Sequence, residues 1–357
     1  MTDTEVPKNH NKALKTALIK IDAQVQKAQS DDDLLKAIKF LEGFKTPVKF
    51  DNRTTHIVCL PLLIISLIAA IVGSQEPTLE IMLVIAGVIG AVTLIAYLWV
   101  IFSRRSSLSQ LSDDIHTKTI LFDNGLTDIP VGGKMAARRL GSQFLDFQRG
   151  NHTREIRRTL KGHYTGEEHS FDYRYHHFHY VNKRRETYTT TVNGKTQIRT
   201  RTVYDHFDRF AFIIPFQFAR SIAVVQDRNK HRGIFWETAS IDFNKKFGVY
   251  AGSEQIAAKF LSPKIIVEIE RLDALHHSIN LEFNSEGDLC LSFTNGDTLR
   301  ALRKYGLEDP QAFADEIKGH TNLGKLDMTL DIVHTLMKYS DSNFTDYHTS
   351  KNTAPWG

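Results

Sequence analysis

The sequence predicts an α+β protein: a two-helix transmembrane hairpin plus a strand-rich cytoplasmic α+β domain. Three observations predict it. Two uncharged apolar blocks, 57–72 and 81–102, are separated only by Gly73 to Glu80. Downstream, aromatic and β-branched runs are punctuated by Asn-Gly dipeptides, the pattern of strands joined by tight turns. Before and after those strands lie stretches whose apolar residues recur at spacings of three and four, the helical period. Whole-chain averages hide this division: 357 residues, 41% hydrophobic and 24% charged with net charge +4, describe an ordinary globular protein. With 9 Pro and 21 Gly, a collagen-like or largely disordered chain is excluded.

Residues 1–53 read as a cytoplasmic amphipathic helical arm. Leu14, Ala17, Leu18, Ile21 and Val25 share one helical face. Ser30, followed by Asp31, Asp32 and Asp33, predicts an N-cap and a negative first turn before Leu34, Leu35, Ile38 and Leu41, and Gly43 closes this second helix. The stripe suits packing on the rest of the protein, with a partner helix or a lipid surface as the alternatives. Met1 to Lys20 lacks an apolar h-region, so no cleavable signal peptide is expected.

Residues 54–105 hold the two spans and a short external loop. Ile81 to Phe102 is 22 residues without a charge, which at 1.5 Å per residue gives about 33 Å, enough for a hydrocarbon core of about 30 Å. Ile57 to Val72 is 16 residues, about 24 Å, and Thr54, Thr55 and Ser74 extend it. Pro61 is expected in the first turns, where a missing N–H is least harmful. Lys45, Lys49 and Arg53 precede the first span and Arg104 and Arg105 follow the second, whereas the connection carries Glu76 and Glu80 without Lys or Arg. Both termini are therefore expected in the cytoplasm. Tyr97, Trp99 and Phe102 suit interfacial anchors. Ala86, Gly87, Gly90 and Ala91 make two overlapping small-xxx-small pairs, a face for the first span or, alternatively, for homo-oligomerisation.

Residues 106–339 read as the cytoplasmic α+β domain and 340–357 as a flexible tail. Beyond Arg105 the signals turn to strands. Phe171 to Val181 alternates aromatics, histidines and Arg174; Thr187 to Val192 meets Thr196 to Tyr204 across Asn193-Gly194, a two-residue hairpin turn. Phe207 to Val225 is apolar, but Asp208, Arg209, Pro215, Gln217 and Arg220 interrupt it, so core strands are expected rather than a third span. Ser253 to Leu261 and Pro263 to Leu275 predict helices, the second with Ser262 as N-cap and Pro263 at its first position. Ile279 to Phe283 and Leu289 to Phe293 predict strands joined through Glu286-Gly287-Asp288, and Asn295-Gly296 a further hairpin to Thr298. Pro310 to Lys318 and Leu326 to Met337 predict closing helices. Cys59 lies in the first apolar block and Cys290 in a distant strand, so no disulfide is expected, in keeping with a reducing compartment.

Two closely spaced spans, a strand-rich region, the run from Glu237 to Ala251 with Phe243-Asn244-Lys245-Lys246-Phe247-Gly248-Val249-Tyr250 at its heart, then Ala257 and Leu261-Ser262-Pro263, resemble a bacterial membrane-protein family of unknown function (domain of unknown function 3137). The resemblance covers about residues 45 to 300 and implies a multi-pass protein of the bacterial inner membrane. It implies no activity and no site. The chain departs from the family pattern in its histidine-rich ribbon near 173 to 204. The run also makes physical sense alone: Phe243, Phe247, Val249 and Tyr250 suit a turn and strand anchored in a core, with Lys245 and Lys246 solvated.

Half of the 16 histidines fall between 131 and 235: His152, His163, His169, His176, His177, His179, His206 and His231. On a strand, His177 and His179 share a face with Tyr173 and Tyr175, which permits a two-imidazole chelate, but no cysteine lies near and no H-E-x-x-H occurs. Surface histidines among aromatic strand residues are the simpler reading. The same region holds 20 Lys and Arg against 9 Asp and Glu. Lys183, Arg184, Arg185, Arg199 and Arg201 are the candidate contacts for anionic lipid headgroups or an acidic protein partner, worth about 1 kcal/mol per basic residue near an anionic membrane. Nucleic acid, through Arg199 and Arg201 beside Tyr188 and Tyr204, ranks second, and charge as edge-strand defence is the plain alternative. Gly132-Gly133-Lys134 lacks the upstream glycine and the Ser/Thr of a P-loop, there is no nucleophile elbow or dinucleotide fingerprint, and Glu167 and Glu168 would point apart on a strand. No catalytic residue, cofactor or metal ligand is assigned. The expected function is a membrane-anchored, non-catalytic binding or scaffold module; the alternative is a membrane-associated metal-dependent hydrolase using the histidine ribbon.

Overall fold

The computed structural model describes residues 10–75, 80–192, 195–227 and 231–349. In chain order the elements begin with α1 (His10–Lys27), α2 (Asp31–Ile38), α3 (Arg53–Gln75) and α4 (Glu80–Asp123). Next come β1 (Thr127–Asp128), α5 (Gly133–Gln143), β2 (Thr153–Thr165), β3 (Ser170–Val192), β4 (Lys195–Pro215), β5 (Ile222–Val225) and β6 (Ile234–Trp236). The chain continues through α6 (Ile241–Lys246), β7 (Gly248–Ala251), α7 (Glu254–Phe260), α8 (Pro263–Leu275), β8 (Asn280–Phe283), β9 (Asp288–Phe293), α9 (Pro310–Lys318) and α10 (Gly324–Thr349). The fold class is α+β, in two compact units: Met1–Asp123 with Ala301–Thr321, and Asn124–Arg300 with Asn322–Gly357.

The first unit is helical. Leu14, Ile21 and Val25 of α1 and Leu34 and Ala37 of α2 bury the stripes expected of them, closing on Leu108, Leu111 and Ile115 of α4 and on Leu307, Phe313 and Ile317. Ser30 stands at the N-cap of α2 without a capping bond from its hydroxyl; the Asp33 carboxylate instead accepts from the Gln29 N–H (3.3 Å). Gly43 takes φ +95 where the arm turns away, a conformation open to glycine.

Three expectations are corrected in this unit. Strands do not begin after Arg105, because Leu108, Leu111 and Ile115 keep an amphipathic helical period that carries α4 unbroken to Asp123. Helix α9 joins this unit rather than closing the strand domain: Val48 N donates to Glu308 O (2.8 Å), Leu307 N to Ser112 Oγ (2.9 Å), and Arg303 pairs with Asp113 (2.6 Å). Pro61 lies inside α3, in about its third turn, because the helix starts at Arg53, whose N–H donates to Asp51 Oδ1 (2.8 Å).

Helices α3 and α4 pack antiparallel. The Ser66 hydroxyl donates to Ala86 O, a side chain at Gly90 would collide with Ser66, and Tyr97 Oη meets His56 Nδ1 at 3.0 Å. Of the two small-residue pairs, Ala86 and Gly90 therefore meet α3, while Gly87 and Ala91 are exposed. Elsewhere the apolar side chains point outward: Ile57, Ile64, Ile81, Val88, Trp99 and Phe102 are exposed. By length and composition α4 is long and apolar enough to cross a membrane, and the apolar part of α3 is shorter. Residues 76–79 of the expected external loop lie outside the described residues.

The second unit is built on one antiparallel nine-stranded sheet in the order β1-β2-β3-β4-β9-β8-β5-β7-β6. Leu140, Phe144 and Phe147, from α5 and the 3₁₀ turn Leu145–Gln148, cover Phe178, Ala211 and Cys290 on one face. On the other, Tyr173 meets Phe212 (5.7 Å between ring centroids) and His276, at the C-cap of α8, stacks on Phe293 (3.9 Å). Strand β3 alternates between Phe171 and Tyr175, where Asp172 and Arg174 face solvent, and is covered on both faces from Tyr175 to Val181, which is why the second half of that stretch loses its clean alternation. Ser240 and Ser253 cap α6 and α7, and Pro263 opens α8. Phe243, Phe247 and Val249 are buried while Lys245 and Lys246 stay exposed.

Two further corrections belong here. Asn295-Gly296 opens no hairpin: Asn295 Oδ1 accepts from His277 N (2.9 Å) and its amide reaches Asp297, so the dipeptide turns the chain, and no strand follows among the described residues. The stretch read as a tail from residue 340 begins as helix, since α10 runs to Thr349.

Candidate functional site

The five candidate residues lie on one β-ribbon. The β2–β3 register ends at Thr153↔Val181 and the β4–β9 register begins at Phe210↔Phe293, so from Asn182↔Asp205 to Val192↔Lys195 the two strands pair only with each other. Eleven pairs at about 3.4 Å per residue make a two-stranded ribbon about 35 Å long. Asn193 and Gly194, the expected turn, lie outside the described residues. Lys183, Arg184, Arg185, Lys195, Arg199 and Arg201 stand against Glu186 and Asp205 alone.

Residues paired across an antiparallel ladder share a face, and this sorts the charges. One face carries Arg184, Glu186 and Tyr188 with Arg199, Arg201 and Asp205. There Arg184 Nε donates to Asp205 Oδ2 (2.6 Å), Arg201 Nη2 lies 2.7 Å from Glu186 Oε2 with its guanidinium over Tyr188 (5.5 Å), and Arg199 Nη2 reaches Gln197 Oε1 (3.4 Å). Arginine beside each carboxyl holds Glu186 below its ordinary range. The opposite face carries Lys183 and Arg185 with Thr187, Ile198, Thr200, Thr202 and Tyr204. It has no carboxylate. The Lys183 ammonium lies over Tyr204 (5.9 Å), Arg185 has no ion pair among the described residues, and Ile198 is 76% exposed. Sequence alone gave the five residues but not this division, which depends on register.

The histidines divide between scattered positions and one group of three around Asp208. His176 is buried against Phe147 with its Nδ1 2.9 Å from Thr159 Oγ1, and burial pushes it down to about 4. His163 meets Asp172 (2.8 Å), His152 lies against Tyr204, and His169 packs on Phe218 and His334. His177 and His179 do share a face, and both nitrogens aim at Asp208 Oδ1 (2.8 and 2.9 Å), with His206 beside His179 (3.2 Å). Burial pushes the Asp208 carboxyl up, but the His179 and His177 hydrogen bonds more than offset this and leave it below its usual value. Among the described residues no three His, Cys, Asp or Glu side chains are set to hold one metal ion.

Sequence reasoning missed a buried ionic network beneath the ribbon's root. Arg209 on β4 is 3% exposed and donates through Nε to Asp146 Oδ2 (2.6 Å) and through Nη2 to Ser292 Oγ (2.9 Å) and Ser278 O (3.2 Å). Asp146 also accepts from Arg149 Nε (2.7 Å) and Asn280 Nδ2 (2.9 Å), and Arg149 pairs onward with Asp227. Glu282 accepts from the Leu145 and Asp146 N–H groups (2.6 and 2.8 Å), tying the 3₁₀ turn to the sheet. Burial pushes Asp146 up, but Arg209 and Arg149 overcome it and hold the carboxyl down. Burial, then Asp146, pushes Glu282 well above its ordinary value. The signal was present in the sequence: a charged residue inside an apolar strand run, Arg209 beside Phe210 and Glu282 between Leu281 and Phe283. These groups are matched to one another and tie the 3₁₀ turn to the sheet.

Comparison of the chain with known protein families, with curated proteins and with solved structures finds no match.

Proposed function

We propose that this protein is a membrane-anchored, non-catalytic binding or scaffold module whose basic ribbon contacts an acidic surface, anionic lipid headgroups first and an acidic protein second. The observation that carries the reading is the ribbon itself: eleven residue pairs outside the sheet, with a face of Lys183, Arg185, Ile198 and Tyr204 that no carboxylate neutralises. Such a face serves no core. The metal-hydrolase alternative draws no support from the histidines, which are committed to carboxylates, hydroxyls and ring stacks.

The membrane part of the proposal is a two-span, multi-pass anchor in the bacterial inner membrane with both termini cytoplasmic. It is supported by the outward-facing apolar side chains of α3 and α4, since an exposed patch of that extent suits lipid rather than water. It is also supported by the basic flanks that their packing brings together, Arg104 Nη1 donating to Asn52 Oδ1 (2.6 Å) and Thr55 Oγ1 (3.2 Å). As part of the same proposal, the chain is read as a relative of the bacterial family of unknown function that its run from Phe243 to Tyr250 resembles. Homo-oligomerisation through the spans would have to use Gly87 and Ala91, which are exposed, since α3 already takes Ala86 and Gly90.

Two experiments test these statements. Reporter fusions at Thr78 and Gly357 should report opposite sides of the membrane; a C-terminal fusion on the outside sinks the topology. Hydrogen exchange of the full chain in phosphatidylcholine nanodiscs, with and without phosphatidylglycerol, should show ribbon amides protected by the anionic lipid. That protection should fade with salt over a Debye length of about 8 Å at physiological strength and be absent when Lys183, Arg184, Arg185, Arg199 and Arg201 are all replaced by Gln. Identical exchange in both lipids removes the ribbon from the function.

A further inference from the structure

The helical unit holds a second basic feature, separate from the ribbon. Helix α1 and the stretch of α4 just past its apolar run flank a cleft of about 700 Å³ lined by Lys12, Lys15, Phe50, Arg104, Asp22 and Asp114 among others. Its charges are segregated. Lys12, Lys15 and Arg104 stand at the end next to Trp99 and Phe102, which are 69% and 73% exposed. Asp22 and Asp114 lie ten residues further along α1 and α4, about 15 Å away at 1.5 Å per residue.

The positive end is built rather than incidental. Among the described residues Arg104 uses one nitrogen, Nη1, for its hydrogen bonds, to Asn52 Oδ1 (2.6 Å), Thr55 Oγ1 (3.2 Å) and Asp51 O (3.4 Å). Its guanidinium also lies over the Phe50 ring (5.9 Å). The side chain is thereby fixed with Nε and Nη2 unpartnered among the described residues, two donors in the fork geometry that matches a phosphate. Lys12 and Lys15 are one turn apart on α1, both exposed, and neither has an ion pair among the described residues.

We propose that this cleft binds the phosphate of an anionic phospholipid, with Arg104 Nε and Nη2 taking two oxygens and Lys12 and Lys15 closing over the headgroup. The inference rests on the reading that α4 crosses a bilayer, because only then does the basic end of the cleft sit at headgroup depth, beside the aromatic residues that mark an interface. A fixed guanidinium has already lost the side-chain freedom that binding would otherwise remove, so the site favours one bound lipid over a diffuse charge cloud. The acidic far end sets the orientation, since a phosphate placed there would face Asp22 and Asp114.

The test uses the full chain in a phosphate-free detergent, with native mass spectrometry reading retained phosphatidylglycerol during a lipid titration. The wild type should hold one phosphatidylglycerol in preference to phosphatidylcholine. Lys12→Gln with Lys15→Gln should weaken it about thirtyfold, from about one basic contact's worth of affinity each. Arg104→Lys keeps the charge but not the fork and should weaken it less, while Lys36→Gln with Lys39→Gln, the same charge removed elsewhere on the arm, should leave it unchanged. Equal retention in all variants overturns the site. Displacement of the lipid by an equal concentration of glycerol 3-phosphate overturns the lipid assignment in favour of a free phosphate. Release of the chain from membranes by alkaline carbonate instead defeats the spanning reading, an outcome separate from equal retention by a chain that stays in the membrane.

Discussion

The two halves of the β3–β4 hairpin are the same pair of strands in opposite circumstances. Near the sheet, Tyr173, Tyr175, Phe178, Phe212 and Ile214 are buried and Arg209 is sealed against Asp146. Beyond Val181↔His206 the same ladder continues with side chains in solvent. The difference teaches that backbone pairing does not decide what a strand is for. What decides is what lies against it: β2 and β9 flank the root and the helices cover it, whereas among the described residues the ribbon is contacted near its base, where Asn151 bonds Lys183 and His152 lies against Tyr204.

The largest expected effect breaks the root. Arg209→Met leaves Asp146 buried beside a neutral side chain, and removing one partner of a buried pair costs about 3–5 kcal/mol. Urea or thermal unfolding should show that loss, and a change within about 0.5 kcal/mol, the range of ordinary surface substitutions, would mean that the network is not what fixes the sheet. Arg201→Met, on the ribbon, removes a pair whose two side chains are 63% and 35% exposed and should stay within that range.

A second expectation concerns pH. His176, driven down to about 4 by burial, stays neutral in the folded chain while the unfolded chain takes up a proton near 6.5. Because the unfolded state then binds more protons, this residue's contribution is present above about pH 6.5, falls as the pH drops and levels off below about 4. His276, also pushed to about 4 by its burial, adds the same dependence from the far side of the sheet. A pH series of unfolding midpoints should show it in the wild type and less of it in His176→Gln. Glu282, pushed to about 7 by burial, acts in the same window with the opposite sign, so the difference between the two curves is the test: identical pH dependence in the wild type and His176→Gln would contradict the burial of His176.

These regions were unequally legible in the sequence. The ribbon could be read because its signals are local: alternation, β-branched threonines and one Asn-Gly dipeptide lie within a few residues of each other. The arm could be read for the same reason, from the spacing of Leu14, Leu18, Ile21 and Val25. The root's network could not, because Asp146, Arg209 and Asn280 meet from positions 63 and 134 residues apart. Only the oddity of a charge inside an apolar run pointed to it. The attachment of α9 to the helical unit was hidden likewise, since Leu307 and Phe313 look like any other core pair until Leu111 and Ile115 are placed against them. The extension of α4 was different: its period was visible in Leu108, Leu111 and Ile115, and the end of the apolar run was mistaken for the end of the helix.

Shortening the ribbon sharpens the comparison. Deleting 184–203 and rejoining Lys183 to Tyr204 through Asn-Gly keeps the register of the root. Since no core side chain is removed, the unfolding free energy should change by about 1 kcal/mol or less, whereas any lipid-dependent protection of this region disappears with the deleted residues. A deletion that unfolds the chain would make the ribbon part of the fold and dissolve the distinction.

The smallest effect separates the ribbon's own two faces. Arg184 and Arg201 are already held by Asp205 and Glu186, so bringing either to an anionic surface sets a new attraction against an existing one. Lys183 and Arg185 have no such competitor among the described residues, and Ile198 and Tyr204 on their face add exposed apolar surface. At about 1 kcal/mol per uncommitted basic residue, Lys183→Gln with Arg185→Gln should weaken association with phosphatidylglycerol by about thirtyfold. Arg184→Gln with Arg201→Gln should weaken it by only a few-fold, because these guanidinium groups are already engaged by Asp205 and Glu186 and make little direct contact with the lipid. Both pairs remove the same formal charge, so a purely long-range attraction predicts equal losses and the same salt slope. Unequal losses, with the larger on the Lys183 and Arg185 face, identify the side of the ribbon that touches its partner; equal losses would leave net charge alone as the agent and make the register of the hairpin irrelevant to its function.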